Sequence, residues 1–500
     1  MASVAAAPAG EAPAGGQNYG TPSYRAYVLI SLTLVYTLNF IDRNLLGVVA
    51  QPIISTFGLS DTEYGFLNGP PFALFYALMG IPIAIAADRF NRIAIMALCI
   101  AVWSLMTALC GFASSFAFLL IARVGVAIGE AGGTPPSNSV IADYFKPKSR
   151  ANALGIFAMG VTLGGALANA FGGPIAQMTD ETVVKFFAGL GIGDIHEQLG
   201  WGENFGWRFA FIALGLPGLL IALILFLTVK EPPRGFSDPP GVQRVQKASV
   251  LETMKELGTK PTFWTMAMGA ALVALVGYGL FGFQAPMMQR LHGISPGKFA
   301  LEYGVPLSLI SAVGTFTGGF LAEKLSPKSP TAVAWLPAAG LLLAIPLYIY
   351  AFYLPAEQKT LQLVLWGLGA ACHYSYLGAQ YTIGQGVVSQ RSRATAIAIL
   401  LFIIALIGNG LGPQIVGILS DMFMQMQIQS QGMADTLTNE VCRARDQSGL
   451  SPEQISVCAK AYGEGLRQSM AATVLFFIPA AAFYLIAGLT LKKDMVAKMH

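Results

Sequence analysis

Long apolar runs recur along this chain, and its charged residues are gathered into the short gaps between them. A helix needs about 20 apolar residues to cross about 30 Å of hydrocarbon. Runs of that kind fall at 26–50, 63–87, 93–113, 116–142, 150–176, 207–229, 262–288, 301–324, 331–353, 360–388, 394–423 and 468–491. Pro306 and several glycines make span 8 the weakest of them. In lipid the backbone must satisfy its own hydrogen bonds, so runs of this length read as helices. The expected fold class is an all-α polytopic membrane protein with twelve transmembrane helices.

Composition agrees. Hydrophobic residues make up 54% of the chain and charged residues 11%, against about 25% charged in soluble domains. The net charge of +4 is too small to suggest nucleic acid as a partner. Cys99, Cys110 and Cys372 lie in apolar runs, and Cys442 and Cys458 in a polar loop. None has metal-ligand spacing, so neither a metal nor a cofactor is expected. Cys442 and Cys458 could pair if their loop is extracytoplasmic.

Twelve spans put both termini on one side. Basic residues crowd the segments that are inside if the N-terminus is inside, and the loops after spans 1 and 3 carry none. The positive-inside rule therefore sets both termini in the cytoplasm. Residues 1–25, rich in Ala, Pro and Gly, are expected to be a disordered cytoplasmic tail. Residues 26–229 form a first six-span half, 230–260 a cytoplasmic linker, 261–491 a second six-span half, and 492–500 a tail. The outside loop 177–206, with Phe186, Phe187 and Trp201, suits an interfacial helix.

The two halves echo each other. Ala84-x-x-x-Asp88-Arg89-x-Asn91-Arg92 follows span 2, and Gly319-x-x-x-Glu323-Lys324 follows span 8. Lys148-Ser149-Arg150-Ala151 opens span 5, and Arg391-Ser392-Arg393-Ala394 opens span 11. Duplicated six-span halves are a transporter architecture with the substrate site at the midplane.

This pattern resembles the major facilitator superfamily. Asp88, Arg89 and Arg92 match that family's loop signature after span 2, while Ala84, Asn91 and Ile93 depart from it. Arg123-Val-Gly-Val-Ala127-Ile-Gly129-Glu130-Ala131 is similar to its span-4 motif, with Ala127 for a Gly. A narrower resemblance is to the spinster subfamily of lysolipid and sphingolipid transporters, and to a bacterial homologue within it. It rests on Leu38-Asn39-Phe40-Ile41-Asp42-Arg43, on Gly129-Glu130-Ala131 with Pro135, and on Ile141-Ala142-Asp143-Tyr144-Phe145. The same segments also look like those of organic-anion and sugar-acid carriers. The resemblance implies a major-facilitator-type fold of two pseudo-symmetric six-helix halves. It also implies a bacterial inner membrane location.

Charges inside a span cost about 2.5–3.5 kcal/mol at the helix centre. The chain keeps Asp42, Arg43, Arg123 and Glu130 there. Arg123 and Glu130 are two helical turns apart and share one face. Asp42 and Arg43 are adjacent and diverge, so one of them faces span 4. A carboxyl in a low-dielectric cavity holds its proton more tightly, and a nearby Arg reverses this. Asp42 and Glu130 are therefore candidate proton carriers, with Arg43 and Arg123 as charge partners. An anionic head group would compete for either Arg. A static ion-pair network is the alternative.

Asp88, Arg89, Arg92, Asp143, Arg150, Glu323 and Lys324 are candidates for a cytoplasmic gate. Tyr278, Gln284, His373, Tyr374 and Gln380 are candidate cavity residues in the second half, which keeps no charge deep in a span. His373 is as well explained by packing. Such walls suit an amphipathic ligand. No selectivity filter, catalytic cluster or nucleotide loop is visible, which weighs against a channel, an enzyme and an ATP-driven pump. The expectation is a monomeric, proton-coupled secondary transporter of a lipid-like substrate, or else of a small organic anion or sugar acid.

Overall fold

The computed structural model describes residues 18–238, 248–325, 329–444 and 446–496, and among these no strand occurs. Eleven helices are long and apolar enough to cross a membrane. In order these are spans 1 to 9, then 11 and 12: Pro22–Val48, Asp61–Arg89, Arg92–Gly111, Phe116–Tyr144, Pro147–Ala176, Phe205–Thr228, Pro261–His292, Pro296–Leu325, Pro330–Tyr353, Arg393–Ser430 and Pro452–Asp494. Span 10 is the twelfth crossing. It is split at Ser375 into Lys359–Tyr374 and Tyr376–Gly386, each too short to count alone.

Several helices outrun their apolar runs. Span 12 starts at Pro452 rather than 468, and span 11 continues to Ser430 rather than 423. Span 1 starts at Pro22, inside the expected tail, with Thr21 capping the Tyr24 amide. The remainder of that tail, 1–17, lies outside the described residues, as do 239–247 of the linker. Capping explains the extra turns. Ser451 and Gln454 close a capping box at the head of span 12, and Ser60 and Glu63 do the same for span 2. Each satisfies orphan amides beyond the hydrocarbon, so the helix persists into water.

Span 8 stays helical through Pro306. It does so with a wide π turn at Ala300–Gly304, and spans 5 and 11 carry matching turns at Ala168–Gly172 and Ile404–Asn409. Pro174, Pro306 and Pro413 follow these turns. A proline has no amide to give to the previous turn, and a π turn absorbs the lost bond.

In the first half, span 3 packs on spans 4 and 6, and span 1 on span 5. In the second, span 7 packs on spans 11 and 12, and span 9 on spans 10 and 12. The halves meet where span 2 crosses span 11 and span 5 crosses span 8. Gly65 lies against the Pro413 carbonyl and Gly69 against that of Gly410. Any side chain at either glycine would push the outer seam apart.

The polar contacts between the halves lie at the outer ends, from Gln51–Tyr462 through Asp61–Arg290 to Gln177–Ser295. At the opposite ends, Glu323 and Lys324 make no ion pair with any described residue. The halves thus touch at the ends that the charge bias sets outside, where spans 2 and 11 and spans 5 and 8 meet, which is the arrangement of an inward-facing state.

The linker is fastened at both ends. Glu231 accepts from Arg92 Nε at 2.5 Å, and Arg234 donates to the Ala87 and Phe90 carbonyls. Beyond the undescribed stretch, helix Val250–Gly258 carries Glu256 to the second half. Its carboxylate accepts from the Ser389 amide at 2.6 Å and the Ser392 hydroxyl at 2.5 Å. Burial pushes the Glu256 carboxyl up, but the Ser392 and Ser389 donors hold it below its ordinary value. A depressed carboxylate stabilises the docked helix above its ordinary pKa, about 4.3, and loses that contribution as pH falls below it. Glu256→Gln at neutral pH should therefore speed amide exchange in Val250–Gly258, and wild type should do so only in acid. Hydrogen-exchange mass spectrometry checks both.

Candidate functional site

Among the interior charges, Glu130 sits at a break in its helix. Span 4 runs to Glu130, turns through Ala131–Gly133, and resumes at Thr134. Pro135 and Pro136 cannot donate backwards, so the helix cannot pass straight through. The break leaves Glu130 at a helix end facing span 1. Arg43 meets it there, with Nη2 at 2.7 Å and Nε at 2.9 Å from the same carboxylate oxygen. The Glu130 side chain is fully buried. Phe40, Phe72 and Tyr76 surround the Arg43 guanidinium, the nearest ring centre at 4.8 Å.

Of the adjacent Asp42 and Arg43, then, Arg43 faces span 4. Asp42 is 2% exposed and has one carboxylate oxygen with no hydrogen-bonding partner. Arg123 is also 2% exposed. It makes no ion pair among the described residues, and its Nε and Nη1 are unpartnered. It lies 4.9 Å from the centre of the Phe72 ring. Arg43 thus pairs with Glu130, while Arg123 has no carboxylate partner among the described residues.

Arg43 and Arg123 line one cleft between the halves with Asn44, Asn68, Phe72, Tyr278, Phe281 and Asn409. Its cavity volume is about 20 Å³, room for about one water molecule and well below the range of small-molecule sites. One wall is cationic and the other aromatic. Tyr278 is the one cavity candidate that lines it. Gln284 is half-buried in span 7, and Gln380 is buried in span 10. Tyr374 packs beside His373.

His373 is a packing residue in this state. Its ring sits 4.8 Å from that of Phe477, its Nδ1 is 3.2 Å from the Tyr348 hydroxyl, and it abuts Gly277. His373→Ala should cost about 2–4 kcal/mol by leaving a cavity while the pH profile of flux keeps its shape. A melting curve and flux at several pH values test this.

The first-half gate candidates gather with linker residues, while Glu323 and Lys324 of the second half do not join them. Arg92 pairs with Asp143 at 2.5 Å as well as with Glu231, and Arg150 with Asp238 at 3.0 Å. Asp88 is 3.9 Å from Arg234, and Arg89 makes no ion pair among the described residues. Glu231, Arg234 and Asp238 are linker residues that the sequence reading did not assign to this cluster.

The structure also adds an outer cluster. Arg290, at the end of span 7, grips both oxygens of Asp61 at 2.7 Å. Ser420 donates to Asp61 at 2.6 Å. Asp421 accepts from the Thr62 amide at 3.0 Å and its hydroxyl at 2.6 Å, and from Arg443 at 2.7 Å. Arg290 also covers the Tyr462 ring at 3.7 Å and holds Gln51. The Arg290 side chain is 3% exposed but stands in the last turn of span 7, so the second half buries a charge without keeping one deep in a span.

Comparison with known proteins agrees with this geometry. Residues 32–413 match the family model of the Major Facilitator Superfamily. An MFS-type efflux pump of Mycolicibacterium smegmatis is 32% identical over 404 residues, 79% of this chain and 85% of that one. Protein spinster of Drosophila melanogaster is 24% identical over 80% of this chain, which spans 62% of the fly protein's length. A crystal structure of a bacterial homolog to the human lysosomal transporter spinster, inward-facing and unoccupied, superposes with a TM-score of 0.88. It is 53% identical and covers 96% of this chain and 100% of its own. The paired halves and their contacts at the outer ends therefore have one explanation: the chain belongs to the Major Facilitator Superfamily and is a multi-pass membrane transporter of the spinster type.

Proposed function

We propose that this protein works by alternating access and couples protons to the movement of an amphipathic, lipid-like substrate of the lysolipid or sphingolipid class. The observation that carries this reading is the buried Arg43–Glu130 pair, with Asp42 and Arg123 beside it, facing an aromatic wall. A charge pair fully inside a membrane protein is costly and marks ion pathways. In this reading Glu130 and Asp42 carry the protons. Arg43 releases Glu130 when the halves rock, and Arg123 receives the anionic part of the substrate. The apolar part lies along Tyr278 and Phe281.

The cytoplasmic clusters at Asp88–Arg92, Asp143, Arg150, Glu323 and Lys324 close the inner face in the other half-cycle. The protein acts as a monomer in a bacterial inner membrane, with both termini in the cytoplasm. A second reading has one observation in its favour. Arg123 is buried without an anion, which suits a small organic acid as well as a lipid head group. Thermal-shift binding of lysolipids, sphingoid lipids and sugar acids separates the two. The coupling test is flux in proteoliposomes under an imposed pH gradient. Wild-type uptake in both Asp42→Asn and Glu130→Gln would end the coupling reading.

A further inference from the structure

One member of the outer cluster comes from a loop closed by a disulfide. Arg443 sits on the short helix Asn439–Arg443, in the loop between spans 11 and 12. The residue before it, Cys442, is joined to Cys458 in span 12, 16 positions further along the chain, with Cα atoms 4.8 Å apart. Beneath this arm, Met424, Ile428, Leu437 and Ala461 form a small core with both cysteines. Asn439 ties the arm to span 11 by donating to the Asp421 carbonyl at 2.8 Å. The arm therefore has two fixed points, and Arg443, next to Cys442, reaches the Asp421 carboxylate.

With Arg290 and Ser420, Asp421 joins the second half to the first turn of span 2. It accepts from the Thr62 amide and hydroxyl, and the Asp61 amide points to it at 3.4 Å. These are orphan donors of a helix N-terminus, where a carboxylate binds well. A carboxylate held from behind by a guanidinium keeps its orientation toward them.

We propose that the disulfide-closed arm is a positioning device for the outer seam: the Cys442–Cys458 staple places Arg443 so that Asp421 stays aimed at the head of span 2. Arg443 is then a positioning residue, and the staple acts through it. This rests on the outer face opening in the transport cycle.

Hydrogen-exchange mass spectrometry on the full-length protein in lipid nanodiscs tests the arm without needing a substrate. Exchange at Asp61–Asn68 is compared among wild type, the Cys442→Ser/Cys458→Ser variant, Arg443→Gln, Arg443→Lys and the combination of Arg443→Gln with the serine pair. A partly exposed ion pair supports about a two- to fivefold effect. Exchange should rise by that factor in the serine variant and in Arg443→Gln. It should rise no further in the combination, and Arg443→Lys should recover most of the protection. Exchange in Arg92–Gly111 should not change in any of them. A rise spread over all spans, no rise at Asp61–Asn68, or additive effects in the combination would overturn the proposal. Failure of lipid or proton transport would leave this readout intact, so the two readings stand or fall separately.

Discussion

Replacing Glu130 with Gln should reduce the stimulation of flux by a pH gradient to about none, while the protein still folds and inserts. The expectation follows from the site. Glu130 is fully buried and takes two hydrogen bonds from one guanidinium. Removing one partner of a buried pair costs about 3–5 kcal/mol, because the other charge is left uncompensated. That is a factor of roughly a hundred or more in an equilibrium constant. The penalty falls on states in which Arg43 sits between Phe40, Phe72 and Tyr76. In Glu130→Gln a proton can no longer be exchanged for Arg43, so protonation of the remaining Asp42 is no longer linked to the rocking of the halves. Exchange of labelled substrate at equal pH does not require proton release and should survive better than driven uptake. The ratio of driven uptake to exchange, measured in one preparation of proteoliposomes, is therefore the informative number. Glu130→Asp keeps the charge but shortens the reach, and should retain part of the stimulation. An unchanged ratio in Glu130→Gln would leave the pair as a static brace.

What could be read beforehand divides along the cost of burial. The interior charges announce themselves because each one is expensive in hydrocarbon, so Asp42, Arg43, Arg123 and Glu130 stand out from their apolar runs. The crossings announce themselves for the same reason. The ends of spans 11 and 12 do not, because a capped helix continues into water without an apolar signature. Asp61, Arg290 and Arg443 carry no such signal either. Each lies in a stretch that reads as a polar loop, where a charge costs nothing, and only folding brings the first two together and buries them. Asp421, at the end of the apolar run 394–423, was the available hint. Arg123 shows the opposite limit: its burial is legible, but its lack of a partner appears only in three dimensions.

The outer latch should show the second large effect. Asp61→Asn is expected to shift the population from inward-facing toward outward-facing. Asp61 and Arg290 are joined by two bonds of 2.7 Å, with side chains 2% and 3% exposed. Asp61 belongs to span 2 and Arg290 to span 7, so every outward opening must separate them. Asparagine fits the space but cannot balance the guanidinium, and the closed outer face should lose about 3–5 kcal/mol. Transporter states separated by a few kcal/mol exchange rank under a change of that size. Arg290→Gln should act in the same direction. The double variant should be milder than either single one, since it buries no unpaired charge. A simple loss of packing would instead add. Hydrogen exchange at Asp61–Asn68 reads the opening directly, and should rise most in the single variants. At the cytoplasmic ends the sign reverses, because the halves close there as they part outside. Exchange at Arg393–Ile403 should fall in Asp61→Asn. If the outer turns open and the inner ends do not respond, the two faces are not coupled, and the pair is a clamp on the outer surface rather than part of the alternating cycle.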